Sequence, residues 1–398
     1  MKPTLIQRTG RAGVALACGL VLAACYSDSG YNPPSVVLQP TPVQVTLSQA
    51  VTEPGAGWAF NCAVLADSSL QCWGANQYGQ LGNGGVSVFC VQGYSVCSNG
   101  PVPVSAPPTQ WLVALGSFAH GCGLDTTGAG WCWGFNRGGQ LGSGNTVNSK
   151  VPVAVAGGHT YAQISASLSG DLTCAITSTN GLYCWGAGFF GQPGTGFVSA
   201  IATTPYQVAS TQSFTMVAVG DSHTCALDLT GAAWCWGAND QGQVGDATTV
   251  QRMLPVATAT AASYVQIAAG IEHTCALDAT GVAYCWGKAD RVGRSGATAA
   301  DSVTPTAVAG AQRFTQIVAG GWHTCALDGA GGTWCWGDNS YAQYGDGTTT
   351  ASAIPRQTMG ISAFGKIVAG GAHTCGVTAA GAMYCWGATT YGQSGRLP

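Results

Sequence analysis

The tripeptide Cys-Trp-Gly occurs seven times in this chain, at Cys72, Cys132, Cys184, Cys235, Cys285, Cys335 and Cys385. Each has a second cysteine ten positions earlier: Cys62, Cys122, Cys174, Cys225, Cys275, Cys325 and Cys375. The last four steps between repeats are 51, 50, 50 and 50 residues. A proline marks an earlier element. Pro42, Pro205, Pro255, Pro305 and Pro355 lie 20 residues before the first cysteine, and Pro103 and Pro152 lie 19 and 22 before it. A period of this length means repeated supersecondary units that bury their faces against one another.

One unit reads TPTAVAGAQRFTQIVAGGWHTCALDGAGGTWCWGDNSYAQYGDG. Short β-branched or aromatic runs alternate with Gly-rich turns, which predicts about four strands per unit. HTCALD and TWCWG flank a tight turn around Gly329 to Gly331 and should form a hairpin. Directly opposed residues of such a pair have Cα atoms about 4.5–5.5 Å apart, and a disulfide needs about 4.4–6.8 Å. The expected bridges are Cys62–Cys72, Cys122–Cys132, Cys174–Cys184, Cys225–Cys235, Cys275–Cys285, Cys325–Cys335 and Cys375–Cys385. Cys90 and Cys97 share the one large insertion, Val86 to Gly100, and make an eighth pair. Paired CxxC-type zinc ligation fails on spacing, so no metal is expected. The bridges imply an oxidising compartment.

Side chains alternate along a strand. In TWCWG, Trp334 and Trp336 therefore share one face and Cys335 takes the other. Such a strand wants cover on both sides, as in the radially stacked blades of a propeller. An open solenoid would need polar end caps, and none stands out. The last unit stops at Gly395-Arg396-Leu397-Pro398, before its next proline strand. The first unit has a proline strand, Pro42-Val43-Gln44-Val45, with no preceding unit to receive it. The expected fold is all-β, a seven-bladed β-propeller of about four-stranded blades. Residues near 42 to 47 are expected to join the C-terminal blade and close the ring.

The N-terminus speaks to location. Lys2, Arg8 and Arg11 precede an apolar run, Ala12 to Ala24. A bilayer-spanning helix needs about 20 apolar residues, and the shorter run with basic flanks fits a secretory signal. Leu22-Ala23-Ala24-Cys25 resembles the bacterial lipobox, whose cysteine is acylated and begins the mature chain. Cys18 is the weaker candidate. The expected organisation is a signal peptide at 1–24, a lipidated flexible tether at 25–41 and the propeller at 42–398. By resemblance to bacterial lipoproteins, Tyr26 rather than aspartate after Cys25 is compatible with transfer to the outer membrane of the envelope. Charged residues are only 7% and glycine is 60 of 398. Without Lys2, Arg8 and Arg11, ten basic residues face 16 acidic ones. No basic cluster is present to neutralise phosphates, so no nucleic-acid partner is expected.

The stretches GDSHTCALDLTGAAWCWGANDQGQVGD and GSFAHGCGLDTTGAGWCWGFNRGGQLGSG resemble the regulator-of-chromosome-condensation repeat. The resemblance covers about residues 42 to 398. It implies a seven-bladed propeller with a shared closing blade. The founding eukaryotic member catalyses nucleotide exchange on a nuclear GTPase and binds chromatin, which an exported, acidic chain does not suit. Secreted bacterial relatives that inhibit β-lactamase, using one propeller face as a protein-binding platform, suit this compartment better. Function lives in sites grafted on folds, however.

The candidate chemical groups follow the repeat. His120, His223, His273, His323 and His373 precede a hairpin cysteine by two. One per blade at one blade position disperses them, whereas a metal site demands convergence. They are expected to be structural and to bond backbone near a turn. His159 lies outside the pattern and reads as a loop residue. Asp125, Asp228, Asp278 and Asp328 open the hairpin turn, where aspartate accepts backbone N–H groups. A glycosidase-type pair would have to use acids such as Glu272 and Asp290, and nothing in the sequence brings these together. There is no G-x-S-x-G elbow, and no P-loop or dinucleotide fingerprint stands out. No catalytic residue and no cofactor are expected.

The repeats differ most in the loop after each Trp-Gly: ANQYGQLG, FNRGGQLG, AGFFGQPG, ANDQGQVG, KADRVGRSG, DNSYAQYG and ATTYGQSG. Within a kept frame, Tyr78, Phe135, Arg137, Phe189, Phe190, Asp240, Lys288, Arg291, Arg294, Tyr341 and Tyr391 vary. Variable aromatic and charged residues on a rigid scaffold are how binding faces are built. A pinned Cys90–Cys97 loop is a second candidate. The sequence thus predicts a noncatalytic, monomeric protein-binding module in the envelope. Binding of an envelope glycan is the first alternative, and a hydrolase with an unrecognised site the second.

Overall fold

The computed structural model describes residues 37–85, 88–89, 96–197, 200–294, 300–361 and 363–395; Cys25 and Cys90 lie outside these. From residue 37 onward the chain forms seven antiparallel sheets, six of four strands and one of five. Blade 4 shows the plan. Phe214–Val219, His223–Asp228, Ala233–Gly237 and Arg252–Ala257 pair in sequence order, each antiparallel to the last. The first strand of each blade is innermost and packs against its counterparts in the neighbouring blades. In six of the seven sheets the proline strand is outermost. Proline lacks the N–H that a central strand must donate, so it belongs on an edge.

The ring closes as the proline pattern predicts. Strand β1, Leu38–Gln44, pairs with Met383–Ala388 of blade 7, with Val43 opposite Cys385 and Gln44 opposite Tyr384. It begins at Leu38, so four residues assigned to the tether belong to the propeller. The insertion also differs from a simple loop. Val96–Pro103 is the outer strand of blade 1, and Val88–Phe89 adds a fifth strand beyond it. Cys97 is disulfide-bonded, and its expected partner, Cys90, is outside the described residues.

All seven hairpin disulfides are present, between directly opposed residues whose Cα atoms are 4.0–4.1 Å apart. The covalent bridge draws the strands closer than an unbridged pair. Every disulfide lies at a seam between blades. The face carrying Cys225–Cys235 in blade 4 packs on Tyr264, Ala276 and Trp286 of blade 5. Cys275–Cys285 packs in the same way on Phe314, Ala326 and Trp336, with Trp334 beside it. Trp334 and Trp336 do share a face, as alternation requires. At the closing seam Cys375–Cys385 of blade 7 meets Ala63 and Trp73 of blade 1. The seven Cys-Trp-Gly tryptophans are fully buried.

The glycine after each tryptophan has a specific cause. Gly237 has φ +106°, and a Cβ there would stand 2.5 Å from the Ser222 carbonyl oxygen. The register shifts at this point, between Cys235 and Gly237, as the chain turns towards the outer strand. Only glycine fits a left-handed conformation so close to another backbone.

Removing one bridge should show what a seam is worth. Replacing Cys225 and Cys235 with alanine frees a ten-residue loop, a loss of about 3 kcal/mol, before any loosening of Trp286. The expected result is a thermal midpoint several degrees lower by calorimetry; an unchanged midpoint would mean the bridge adds nothing.

Candidate functional site

Antiparallel strands send alternate loops to opposite faces. The turns between first and second strands, and the loops after Trp-Gly, share one face, called upper here. The aspartate turns and the connections between blades share the lower face. Equivalent loops therefore do form one surface.

The loop after Trp-Gly is held by its own amides. In blade 4, Asn239 Nδ2 donates to the Thr248 and Val250 carbonyls at 3.0 and 3.1 Å, and Asn239 Oδ1 accepts from the Val244 N–H. Gln243 Oε1 accepts from the Gln241 N–H at 2.9 Å. The same loops clasp the next blade. The Gln192 carbonyl of blade 3 accepts from Trp236 Nε1 and Thr224 Oγ1 of blade 4, at 2.8 and 2.9 Å. Blade 5 departs from this. Its shorter loop, KADRVG, has neither amide; Nε1 of Trp286 in blade 5 and of Trp336 in blade 6 both find no acceptor among the described residues.

The predicted binding residues divide into two groups. Tyr78, Phe189 and Phe190 are exposed, Phe189 by 62%, as are Arg137 and Asp240. Phe135 is half-buried, with its ring 4.9 Å from that of Tyr78. Tyr341 and Tyr391 are half-buried. The blade 5 cations are not the free charges that a binding face would present. Arg291 pairs with Glu272 at 2.7 Å and Asp290 at 3.5 Å, and its side chain is only 12% exposed. Lys288 Nζ donates to Gln241 Oε1 at 2.8 Å, and Arg294 Nη2 to the Ala300 carbonyl at 2.9 Å. Glu272 and Asp290, unconnected in the sequence, meet on one guanidinium; with a cation between them they form an ion pair, not an acid–base pair.

Three further aromatics on the upper face escaped the sequence reading. Trp58, Phe118 and Trp322 sit in the turns just before the hairpin, beside the axis. The Trp58 ring lies 5.0 Å from that of Trp322 and 6.2 Å from that of Phe118. It covers Gly371, where a Cβ would come within 2.6 Å of its Cδ2. The signal was available: the residues between the glycine and the histidine vary between blades (Asp221-Ser222, Ile271-Glu272, Gly321-Trp322). These turns also link all seven blades by hydrogen bonds. Trp58 N–H donates to Ser117, Ser117 Oγ to the Ser167 carbonyl, and Ser169 to Asp221. Backbone bonds from Asp221 to Gly270, Ile271 to Gly321, Gly321 to Gly370 and Gly371 to Gly57 complete the circle.

The repeated histidines are structural, but their partners differ from expectation. They bond side chains of the next blade, not backbone. Nε2 of His120, His223, His273 and His323 lies 2.8–3.0 Å from Oγ1 of Thr173, Thr274, Thr324 and Thr374. At the closing seam His373 meets Asn61 Oδ1 at 2.8 Å. Burial drives their pKa values down, to about 3 for His120 and His373 and about 4 for His223 and His323, with His273 also well below normal. The turn aspartates match expectation. Asp228 Oδ1 accepts from the N–H groups of Thr230 and Ala232, and Oδ2 from Trp234 Nε1. His159 lies in the connection into blade 3, with its ring 4.3 Å from that of Tyr183. Among the described residues no group of three or more His, Cys, Asp or Glu is placed to hold a metal ion, and no helix is long and apolar enough to cross a membrane.

A family model described as an RCC1-like domain matches residues 162–397, and models of the regulator of chromosome condensation (RCC1) repeat match 127–176 and 55–80. The chain belongs to the RCC1 repeat family. It is 28% identical over 218 residues to the human E3 ubiquitin-protein ligase HERC2, covering 52% of this chain and 4% of that protein. It is 30% identical over 226 residues to the ultraviolet-B receptor UVR8 of Arabidopsis thaliana, covering 55% of this chain and 48% of the receptor. The chain thus spans less than half the length of either relative. Among solved structures, human WBSCR16 superposes with a TM-score of 0.74 at 21% identity, over 90% of this chain and 94% of that one. Prp20p of Saccharomyces cerevisiae, whose structure was described with its binding to Gsp1p and histones, gives 0.70 at 19%, over 84% and 81%. At these identities the structures share the fold.

The histidines make this member of the family acid-sensitive. They are neutral in the folded state, whereas an unfolded histidine takes up a proton near pH 6.5. Stability is therefore full above that pH and declines as pH falls towards 4, by up to about 1.4 kcal/mol per histidine per unit. Denaturant unfolding at pH 7, 6, 5 and 4 should show this decline, shallower in His223→Asn. A flat profile from pH 7 to 5 would contradict it.

Proposed function

We propose that this protein is a noncatalytic binding propeller, held to a bacterial envelope membrane by a lipid on Cys25, that engages a partner protein through its upper face. One observation carries the reading. The upper face joins loops rigidly framed by Asn and Gln amides to aromatic side chains that differ from blade to blade. Tyr78 and Phe135 form one such pair, and Trp58, Phe118 and Trp322 form a second group at the axis. Rigid, partly exposed aromatics are the usual anchors of a protein interface. The repeated histidines are committed to the seams and the repeated aspartates to their own turns. RCC1-like relatives include a receptor and a protein described with macromolecular partners, which agrees with a binding role.

The lipid anchor rests on Leu22-Ala23-Ala24-Cys25 and its preceding apolar run. The seven disulfides support an exported location, because such bonds persist in oxidising compartments. The first described residues enter the propeller on the upper face, where the Thr389 N–H donates to the Val37 carbonyl.

The test is paired capture from envelope extract. One bait is the native protein; the other carries alanine at Tyr78, Phe118, Phe135 and Phe189. A protein retained by the first and reduced at least tenfold on the second is the expected result, since interface anchors are worth about 2 kcal/mol or more each. Equal retention on both baits, or no retained protein, would contradict the proposal.

A further inference from the structure

Blade 3 departs from its siblings on the lower face. In blades 2, 4, 5 and 6 the hairpin turn opens with aspartate, as in ALDLTGAAWC; here it reads AITSTNGLYC, and blade 7, GVTAAGAMYC, shares the threonine but keeps glycine at the turn. Thr177 replaces the aspartate, and Tyr183 stands where blade 4 has Trp234. Asn180 occupies the left-handed turn position, with φ +66°, that Gly128, Gly231, Gly281, Gly331 and Gly381 fill in five other blades. Asparagine tolerates that conformation better than most residues, yet it is still less favourable than glycine. Blade 3 thus keeps a side chain where most blades have none.

That side chain lines an open groove of about 510 Å³ between the connections on either side of the blade. The walls are the turn Thr177–Gly181, the incoming Gly158, His159 and Thr160, the outgoing Ser210–Ser213, and Gln207 with Tyr183. Every polar wall residue is a hydroxyl, an amide or the His159 imidazole; none is Asp, Glu, Lys or Arg. The Asn180 and Gln207 amides and the Tyr183 hydroxyl make no hydrogen bond within the described residues. The rings of His159 and Tyr183 form an aromatic ledge, 4.3 Å between centroids. Beyond Ser210–Gln212 a second groove of about 440 Å³ continues to Trp234, Leu254 and Pro255. The two grooves share one wall and carry an aromatic ring on each side.

We propose that this lower-face cleft binds an uncharged oligosaccharide. Its chemistry selects for that class. A wall without charge gives no ion pair to an anionic or cationic ligand, which would lose solvation on entry. A dense set of groups that both donate and accept suits a ligand bearing many hydroxyls. Flat rings suit the apolar C–H face of a pyranose, as they suit other apolar surfaces. The size lies within the usual range for small-ligand sites, and the open ends admit a chain. The site is on the opposite face from the proposed protein-binding surface, so either proposal can fail alone.

The test is calorimetric titration of the disulfide-bonded protein with cellohexaose, chitohexaose and maltohexaose, and with a galacturonate hexamer as the anionic comparison. Saturable binding is expected for at least one neutral hexamer, with the anionic one about tenfold weaker or worse. Asn180→Gly puts back the residue that five blades use and suits the backbone, so it should fold normally and weaken binding about tenfold. Tyr183→Ala should weaken it at least as much. No saturable binding of any neutral hexamer up to about 5 mM, equal binding of the anionic one, or affinity unchanged in Asn180→Gly would each overturn the proposal. Competition by a peptide that displaces the sugar and binds more tightly would assign the cleft to protein instead.

Discussion

The disulfide of each blade packs against the tryptophan face of the next, and the rest of the molecule depends on that contact. It occurs seven times, from Cys225–Cys235 against Trp286 to Cys375–Cys385 against Trp73. A two-strand hairpin is marginal alone in water. Here a short covalent loop limits the unfolded state, and a large apolar ring limits the folded one. The bridge also takes the place of a hydrophobic side chain on the blade's second face, so sheets lean on one another without a separate core. Because every blade needs a neighbour on both sides, only a closed ring satisfies all seven, and β1 in blade 7 supplies the last strand.

A second layer of polar contacts sets the register of that stack. Threonine on one blade bridges the histidine and the glutamine carbonyl of the previous blade, as Thr274 does between His223 and Gln243. The threonine hydroxyl donates to that carbonyl and so accepts from the imidazole Nε2–H, and burial keeps the imidazole neutral. Nearer the axis, Gln163 and Gln316 exchange hydrogen bonds with the inner strand of the next blade, at Val217 and Ile367. The closing seam uses Asn61 in place of threonine and a Lys366–Glu53 ion pair in place of glutamine. The ring is thus locked by different residues where its two ends meet. With the frame committed this fully, only residues that leave the repeat are free to serve binding.

The sequence made the architecture legible because the same constraint recurs seven times. A cysteine pair spaced by ten, repeated seven times across a tight turn, favours local hairpin bridges over every other pairing, and a proline strand without a blade has one place to go. The partners of the repeated histidines were not legible, because Thr274 and Thr324 belong to a neighbouring unit and look like ordinary strand residues. The candidate site was readable in part. Tyr78, Phe189 and Phe190 stand exposed, as their place in variable loops suggests. Lys288, Arg291 and Arg294 varied in the same way but are spent on local partners, since the loss of the Asn–Gln frame in blade 5 left contacts that charged groups now make. Trp58, Phe118 and Trp322 varied at the axis, a position the loop comparison did not include. The blade 3 cleft depends on residues from three separate connections, which only the fold brings together.

The most direct measurement of this account is peptide mapping of the protein under non-reducing conditions. It predicts seven linked pairs, each joining cysteines ten residues apart within one blade. A bond between different blades, or free thiols at any of these fourteen positions, would contradict the seam on which the ring is built.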